Sequence, residues 1–393
     1  MEPSTLGSTI TTTSGLSFFN SIRWSTSLPS TLVDGFDALL HGSARPLHRG
    51  DVTEIQGVTS SGKTSLMIKI AVNHLLPRQV DVRIDRQVIR VPVGGKEERV
   101  VWFNCTASTG FEKEILKIGK ILRFHLVQAI NSYRRPKGIG APQEEELDEL
   151  VRGCLERLEV FSPTSTIQLA TTIQSLEEWY TKSSSSTSGE ELGCVMIDGM
   201  TEFAWTDQFE RETHHQRSSS SSTPFVSPLK LFSASISHLR RTLSPLIFIS
   251  QWVLRPTQPL SNPSQQNLPF YRPHFNPPLY PSLRNPPIST STVVTKEKEE
   301  EDDPFAPVYY PASSTSSSPL FPIHFHVTLH PSPRPVFRKG ISFASVLKEG
   351  GPRLEKGKGT KVMTEGIVCV LRERGGREIG SWEMEIGEDE IIA

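Results

Sequence analysis

An α/β fold with a mostly parallel central sheet is what this 393-residue sequence predicts, and three observations predict it. Short β-rich apolar runs alternate with helix-period stripes over the first two thirds of the chain, the pattern of strands covered by helices. A glycine-bounded turn ending in Gly62-Lys63-Thr64 falls between the first run and the first helical pattern. Alternating apolar residues return only after a long proline-rich break.

Taken in order, the expected strands are Val52 to Gln56, Val100 to Asn104, Leu158 to Phe161, Cys194 to Asp198 and Leu246 to Ser250. Between them run three stripes at helical spacing: Phe111, Ile115, Ile118 and Leu122; Ile167, Ala170, Ile173 and Leu176; and Phe232, Ile236, Leu239 and Leu243. All three read as ordinary core. Further on, Ile323, Phe325, Val327 and Leu329 alternate with His324, His326, Thr328 and His330, which predicts a strand with one buried face. Neither cysteine nor carboxylate is locally paired with those histidines, so no metal site is expected there. Ile367 to Leu371 and Ser381 to Ile386 flank Gly375-Gly376 and read as a β-hairpin that extends the sheet with closing antiparallel strands.

The segments between elements carry the low complexity. Ser183 to Ser188 and Ser218 to Ser222 read as surface loops enlarged by polar insertion. Fifteen of the 30 prolines lie between Pro256 and Pro322, together with the charge run Lys296 to Asp303. Such a stretch is expected to be a disordered insertion, because it buries too little apolar area to offset ordering its backbone. The division that follows is a Ser/Thr-rich leader over 1–30, a nucleotide-fold core over 31–255, the insertion over 256–322, and strands completing the core sheet over 323–393.

Forty-two basic residues against 43 acidic ones leave a net charge of −1, which excludes a general nucleic-acid coat but not a local basic face. The four cysteines, Cys105, Cys154, Cys194 and Cys369, form no Cys-x-x-Cys, which points away from a zinc ribbon or secreted disulfide scaffold and toward a reducing compartment. No apolar run approaches the ~18 residues of a membrane span, and the start lacks a secretory pattern. A soluble, intracellular protein with no membrane partner is therefore expected.

Gly57-Val58-Thr59-Ser60-Ser61-Gly62-Lys63-Thr64 is a full match to G-x-x-x-x-G-K-[ST], and its place between a strand and a helix makes the match specific. Glycines at both ends allow the backbone to wrap an anion with its N–H groups, and the helix starting near Lys63, which includes Ser65, adds its positive end. Lys63 is expected at the β and γ phosphates of ATP, and the Thr64 hydroxyl at Mg²⁺. The run Gly193 to Asp198 ends in an acid, so a strand would deliver Asp198 to the same edge as a second contributor to the Mg²⁺ shell.

With Leu32 to Gly42 and Arg49 to Gly57 leading into this loop, and with His74-Leu-Leu-Pro77, Cys154 to Phe161 and Met196 to Trp205 further on, the chain resembles the RecA-like recombinase superfamily, specifically the eukaryotic strand-exchange recombinase paralogues. The likeness covers roughly residues 30 to 255. It implies a RecA-like P-loop NTPase core, ATP and Mg²⁺ as cofactors, and a nuclear role in homologous-recombination repair. By the same resemblance Gln251, ending the run Phe248-Ile-Ser-Gln, would sense the γ-phosphate, and with Lys63 would be the catalytic pair. The 256–322 insertion would occupy the position of a DNA-facing loop.

Two departures shape the expected activity. Active family members carry a carboxylate after the second strand, where this chain has Asn104-Cys-Thr-Ala-Ser and no acid before Glu112. Loss of a positioned base costs on the order of 10²- to 10⁴-fold in rate while sparing binding, so weak or absent hydrolysis is expected. Moreover, no helical DNA-binding domain precedes the core, and Phe36-Asp37-Ala38-Leu39 reads as core rather than as a linker motif. The expected role is a subunit in a hetero-oligomer with other recombinase paralogues, on single-stranded DNA held within the complex. Lys356, Lys358 and Lys361 form a basic strip that is either a phosphate-backbone contact or a solvated loop. An active P-loop ATPase or kinase, and a scaffold with a vestigial loop, are the competing readings.

Overall fold

In the computed structural model the five apolar runs are strands of one sheet. The structure describes residues 29–41, 43, 45–84, 87–106, 111–137, 143–184, 191–217, 228–252, 323–331, 365–373, 378–386 and 391–392. The strands are β1 (Val52–Gly57), β4 (Arg99–Asn104), β5 (Leu158–Phe161), β6 (Leu192–Asp198) and β7 (Leu246–Trp252), followed by β8 (Phe325–Pro331), β9 (Glu365–Glu373), β10 (Glu378–Ile386) and the short β11 (Ile391–Ile392). They form a nine-stranded sheet in the order β11-β10-β9-β8-β1-β7-β6-β4-β5. Strands β8, β1, β7, β6, β4 and β5 run parallel, whereas β9, β10 and β11 pair antiparallel beyond β8. This is the α/β architecture of a RecA-like core with closing antiparallel strands.

Continuous apolar runs arise because each central strand serves two cores. Along β6, Cys194 and Met196 face one core and Val195 and Ile197 the other; along β7, Leu246 and Phe248 alternate with Ile247 and Ile249 in the same way. The first core is covered by α1 (Asp34–His41), α2 (Lys63–Leu75), α3 (Glu112–Arg134) and α4 (Glu144–Leu155); the second by α5 (Thr166–Ser184) and α7 (Pro228–Thr242). A further helix, α6 (Ala204–Arg217), follows a 3₁₀ turn after β6.

Most expected stripes are core, with three corrections. Ile167 is exposed at 45%, and Leu169 takes its place in the core, because the first turn of α5 is rotated relative to an i, i+3 reading. Along β8, His326 and Thr328 are buried as well as Phe325 and Val327, and so is His324 just before it, so this strand is covered on both faces. It lies inside the sheet, between β1 and β9. Ser183 and Ser184 belong to α5 rather than to a loop; the rest of that serine tract, the second tract, the 256–322 insertion, the 353–361 basic strip and Gly375-Gly376 lie outside the described residues.

Neither the α1 helix nor the hairpin of β2 (Gln79–Ile84) and β3 (Gln87–Pro92) is legible as an element in the readings above. Phe36 of α1 is buried, as the sequence implies, and meets Trp382 of β10 edge-on at 5.8 Å. The Asp37 carboxylate accepts the Thr31 and Leu32 amides at 3.0 and 2.9 Å, which pins the incoming chain.

Opposite the strand ends that carry the loop lies a buried ionic cluster. Glu98 accepts from Arg49 at 3.3 Å and pairs with His74 at 2.6 Å, all three being nearly inaccessible. Burial alone would raise the Glu98 carboxyl, but His74, Lys96 and Arg49 outweigh it and hold it below the ordinary range. Burial pushes His74 down, with Lys96 adding to the effect. Removing one partner of a buried pair leaves an uncompensated charge, so Glu98→Ala is expected to cost about 3 kcal/mol, measured by urea unfolding; a loss below about 1 kcal/mol would show the cluster to be energetically neutral.

Candidate functional site

The sheet topology brings three C-terminal strand ends together: β1, with its loop Val58–Gly62, and β6 and β7 beside it. Within the loop, the Ser61 amide donates to the Val58 carbonyl at 3.2 Å, and Ser60 and Gly62 both take positive φ, 59° and 87°. Gly62 therefore serves the backbone conformation the sequence implies. Gly57 does not: its φ is unexceptional, and glycine is required because a Cβ there would collide with Ser61 Oγ and lie 3.1 Å from the Leu329 carbonyl. One of the two left-handed positions falls on serine, where no glycine signals it.

Helix α2 begins at Lys63 with no side-chain cap on its N-terminus, so its first-turn N–H donors face the loop. Lys63 Nζ donates to the Gly57 and Val58 carbonyls at 3.1 and 2.8 Å, curling over the loop. Burial pushes its ammonium down to about 8, against the attraction of Asp198. Ser61 Oγ is buried and makes no hydrogen bond among the described residues.

Asp198, at the end of β6, is 7% exposed and reaches the same helix. Its Oδ2 accepts from Thr64 Oγ1 at 2.9 Å, and its Oδ1 accepts from Ser250 Oγ. Burial raises the Asp198 carboxyl above the ordinary range; the two hydroxyls and Lys63 oppose this, and the charge of Glu114 adds to it. Ser250 also accepts the Gly199 amide at 2.9 Å, and is a site residue the sequence reading missed. Its only signal is a polar residue ending an apolar strand, two positions beyond Phe248.

The strand alternation separates two residues that the sequence places together. Met196, Asp198, Phe248 and Ser250 point to the α2 side, whereas Gln251 follows Ile247 and Ile249 to the opposite face of β7. Gln251 is fully buried, lies in register with Gln56 of β1, and leaves both amide atoms without a hydrogen bond among the described residues. Where a carboxylate is missing after β4, Asn104 Oδ1 accepts from Thr106 N and Oγ1 at 3.3 and 2.5 Å, closing the strand end on itself.

The histidines of β8 are committed elsewhere. His324 accepts the Val52 amide at 2.9 Å and lies 3.4 Å from Asp51, and His326 pairs with Glu54 at 2.5 Å. Among the described residues no group of three or more His, Cys, Asp and Glu is arranged to hold a metal, and no helix is long and apolar enough to cross a membrane. All four cysteines are buried free thiols.

The donor set fits a nucleotide phosphate with a divalent ion: a left-handed loop, uncapped helix donors, a buried lysine, an orphaned hydroxyl, and a Thr/Asp oxygen pair. No family model matches the chain. It is similar to a "DNA repair protein XRCC2 homolog" of Arabidopsis thaliana, at 23% identity over 190 residues, covering 44% of this chain. The matched stretch spans about half of that curated relative, 47% of its length.

Proposed function

We propose that this chain is an ATP-binding recombinase-paralogue subunit acting in homologous-recombination repair of DNA double-strand breaks in the nucleus, where it assists recombinase filaments on single-stranded DNA. The observation that carries the nucleotide part is the Thr64–Asp198 hydrogen bond at 2.9 Å, which joins the first turn of the loop helix to the end of β6, two strands from β1 in the sheet. The DNA-repair part rests on the similarity to the plant repair protein, and on the segments His48 to Gly57, His74 to Pro77, Cys154 to Phe161 and Met196 to Trp205, which resemble the X-ray repair cross-complementing type 2 paralogue.

Within this reading Gly57 to Ser65 hold the phosphates, Lys63 neutralises them, and Thr64 and Asp198 hold Mg²⁺. Bound ATP·Mg²⁺ would supply the phosphate charge and the divalent cation of the site. Lys63, which here donates to the Gly57 and Val58 carbonyls, would be the cation facing the phosphates, and Thr64 and Asp198 would offer their oxygens to the ion. Gln251 points to the other face of β7, so its part in γ-phosphate sensing requires its backbone or a rotation of the strand end.

The sequence carries no acid between Asn104 and Glu112 to orient an attacking water, and Asn104 itself accepts from Thr106. Turnover should accordingly lie on the order of 10²- to 10⁴-fold below that of an enzyme with a positioned base, with or without single-stranded DNA. Purified protein assayed for phosphate release, and for chains that co-purify from cells, tests both halves. Several turnovers per second abolished by Lys63→Ala would establish an active ATPase instead, and recovery of no recombinase paralogue would remove the hetero-oligomer.

A further inference from the structure

Helices α2 and α3 run side by side over the first core, and two polar rungs set their register. Lys117 Nζ lies 3.3 Å from Ser65 Oγ, and Lys69 Nζ lies 3.3 Å from His125 Nε2. Both helices leave the C-terminal ends of parallel strands, α2 from β1 and α3 from β4, so the first rung is the one at the phosphate-loop edge. Ser65 is the third residue of α2, within the turn whose N–H groups are free.

A cation in that place is the wrong sign for a helix N-terminus, whose partial positive charge repels it. Lys63 already stands there, and Lys117 makes a second. Lys117 is half-buried, and burial lowers the pKa of its ammonium while the charge of Glu114 supports it. Glu114 sits one helical turn nearer the sheet edge on the stripe that also carries Ile118 and Ile121, and its charge reaches Asp198 as well. Two lysines and an uncapped helix end thus stand at the loop edge, beside the charges of two acids, Glu114 and Asp198, that act on them, and a polyanion complements that arrangement.

The geometry points to Lys117 as a second phosphate-binding cation of this loop, delivered by a neighbouring helix and positioned by its contact with Ser65, for a nucleoside di- or triphosphate. The inference rests on the nucleotide reading above and adds a residue that the loop motif does not contain. Because Lys117 approaches along the flank of α2 rather than from the loop tip, it should serve ADP and ATP alike, unlike Lys63, which the motif places at the β and γ phosphates.

The test is equilibrium binding of fluorescent ATP and ADP analogues to the full chain, with Mg²⁺. Lys117→Met should weaken both by roughly tenfold or more, the scale of one hydrogen bond to a charged group. Lys117→Arg should stay within about threefold of wild type, and Lys120→Met, an exposed lysine on the same helix, should change nothing. A second measurement needs no variant: pulse acylation of wild-type lysines, read by mass spectrometry, should show nucleotide protecting both Lys63 and Lys117 but not Lys120. Protection of Lys63 alone, or affinity of Lys117→Met within twofold of wild type, overturns the role of Lys117. Absence of binding and of Lys63 protection in the wild type would instead overturn the nucleotide reading, and this inference with it.

Discussion

ATP·Mg²⁺ at about a hundred times its dissociation constant should raise the thermal midpoint of the wild-type protein by about 5–10 °C, and Lys63→Ala should erase the rise. The figure follows from linkage: that excess contributes about 2.7 kcal/mol, and a domain of this size shifts by roughly 2–4 °C per kcal/mol. Without nucleotide the variant should be no less stable than wild type, because Lys63 is a buried ammonium held by two carbonyls. The pH profile carries the same signature. Burial lowers the Lys63 pKa to about 8, so the native state holds this proton less tightly than the unfolded chain. The stability of the nucleotide-free protein should therefore rise with pH between about 8 and the unfolded value of 10.5. Nucleotide affinity should do the opposite, flat below pH 8 and falling about tenfold per unit above it as the cation is lost. A midpoint shift that survives in Lys63→Ala, or none in either protein, would leave the loop without a nucleotide role.

Asp198→Asn should separate stability from binding. Burial raises the Asp198 pKa, so the native state binds that proton more tightly than the unfolded chain does. The stability this brings is complete below the ordinary carboxylate pKa of 3.8 and is lost as pH rises through the raised value. Above the raised value the native protein carries an ionised carboxylate at a cost, and the amide removes it while still accepting from Ser250 or Thr64. We expect Asp198→Asn to be at least as stable as wild type at pH 7, because the raised pKa means that the native state disfavours the charged form. The variant should also lose the Mg²⁺-dependent part of nucleotide stabilisation. Thermal midpoints between pH 4 and 8, with and without Mg²⁺, decide it: a variant less stable than wild type and still responsive to Mg²⁺ would place the ion elsewhere.

Five parallel strands and the antiparallel hairpin were readable because burial on two faces demands unbroken apolar runs and burial on one demands alternation. The β8 strand misleads for an instructive reason. His324 and His326 look solvent-facing in a period-2 pattern, yet they are buried against Asp51 and Glu54, residues some 270 positions earlier that also look polar and exposed. Each partner hides the other, since a buried pair of polar side chains has no apolar signature. The β2–β3 hairpin went unread although Val80, Val82 and Ile84 alternate strictly with Gln79, Asp81 and Arg83; its strands form a small sheet outside the main one.

By itself the sequence determined the α/β class, the loop Gly57 to Thr64 and the acid at the end of β6, because local spacing encodes strand period, helix start and glycine conformation. Tertiary structure alone decided which of these meet. Strand order puts β7 between the loop strand and β6, so Ser250 joins Asp198 to the site, while a single step along β7 turns Gln251 to the other face. Packing of α3 on α2 brings Lys117, 52 positions away in the chain, to Ser65. Such proximities are set by sheet order and helix register, and residue spacing along one chain carries neither.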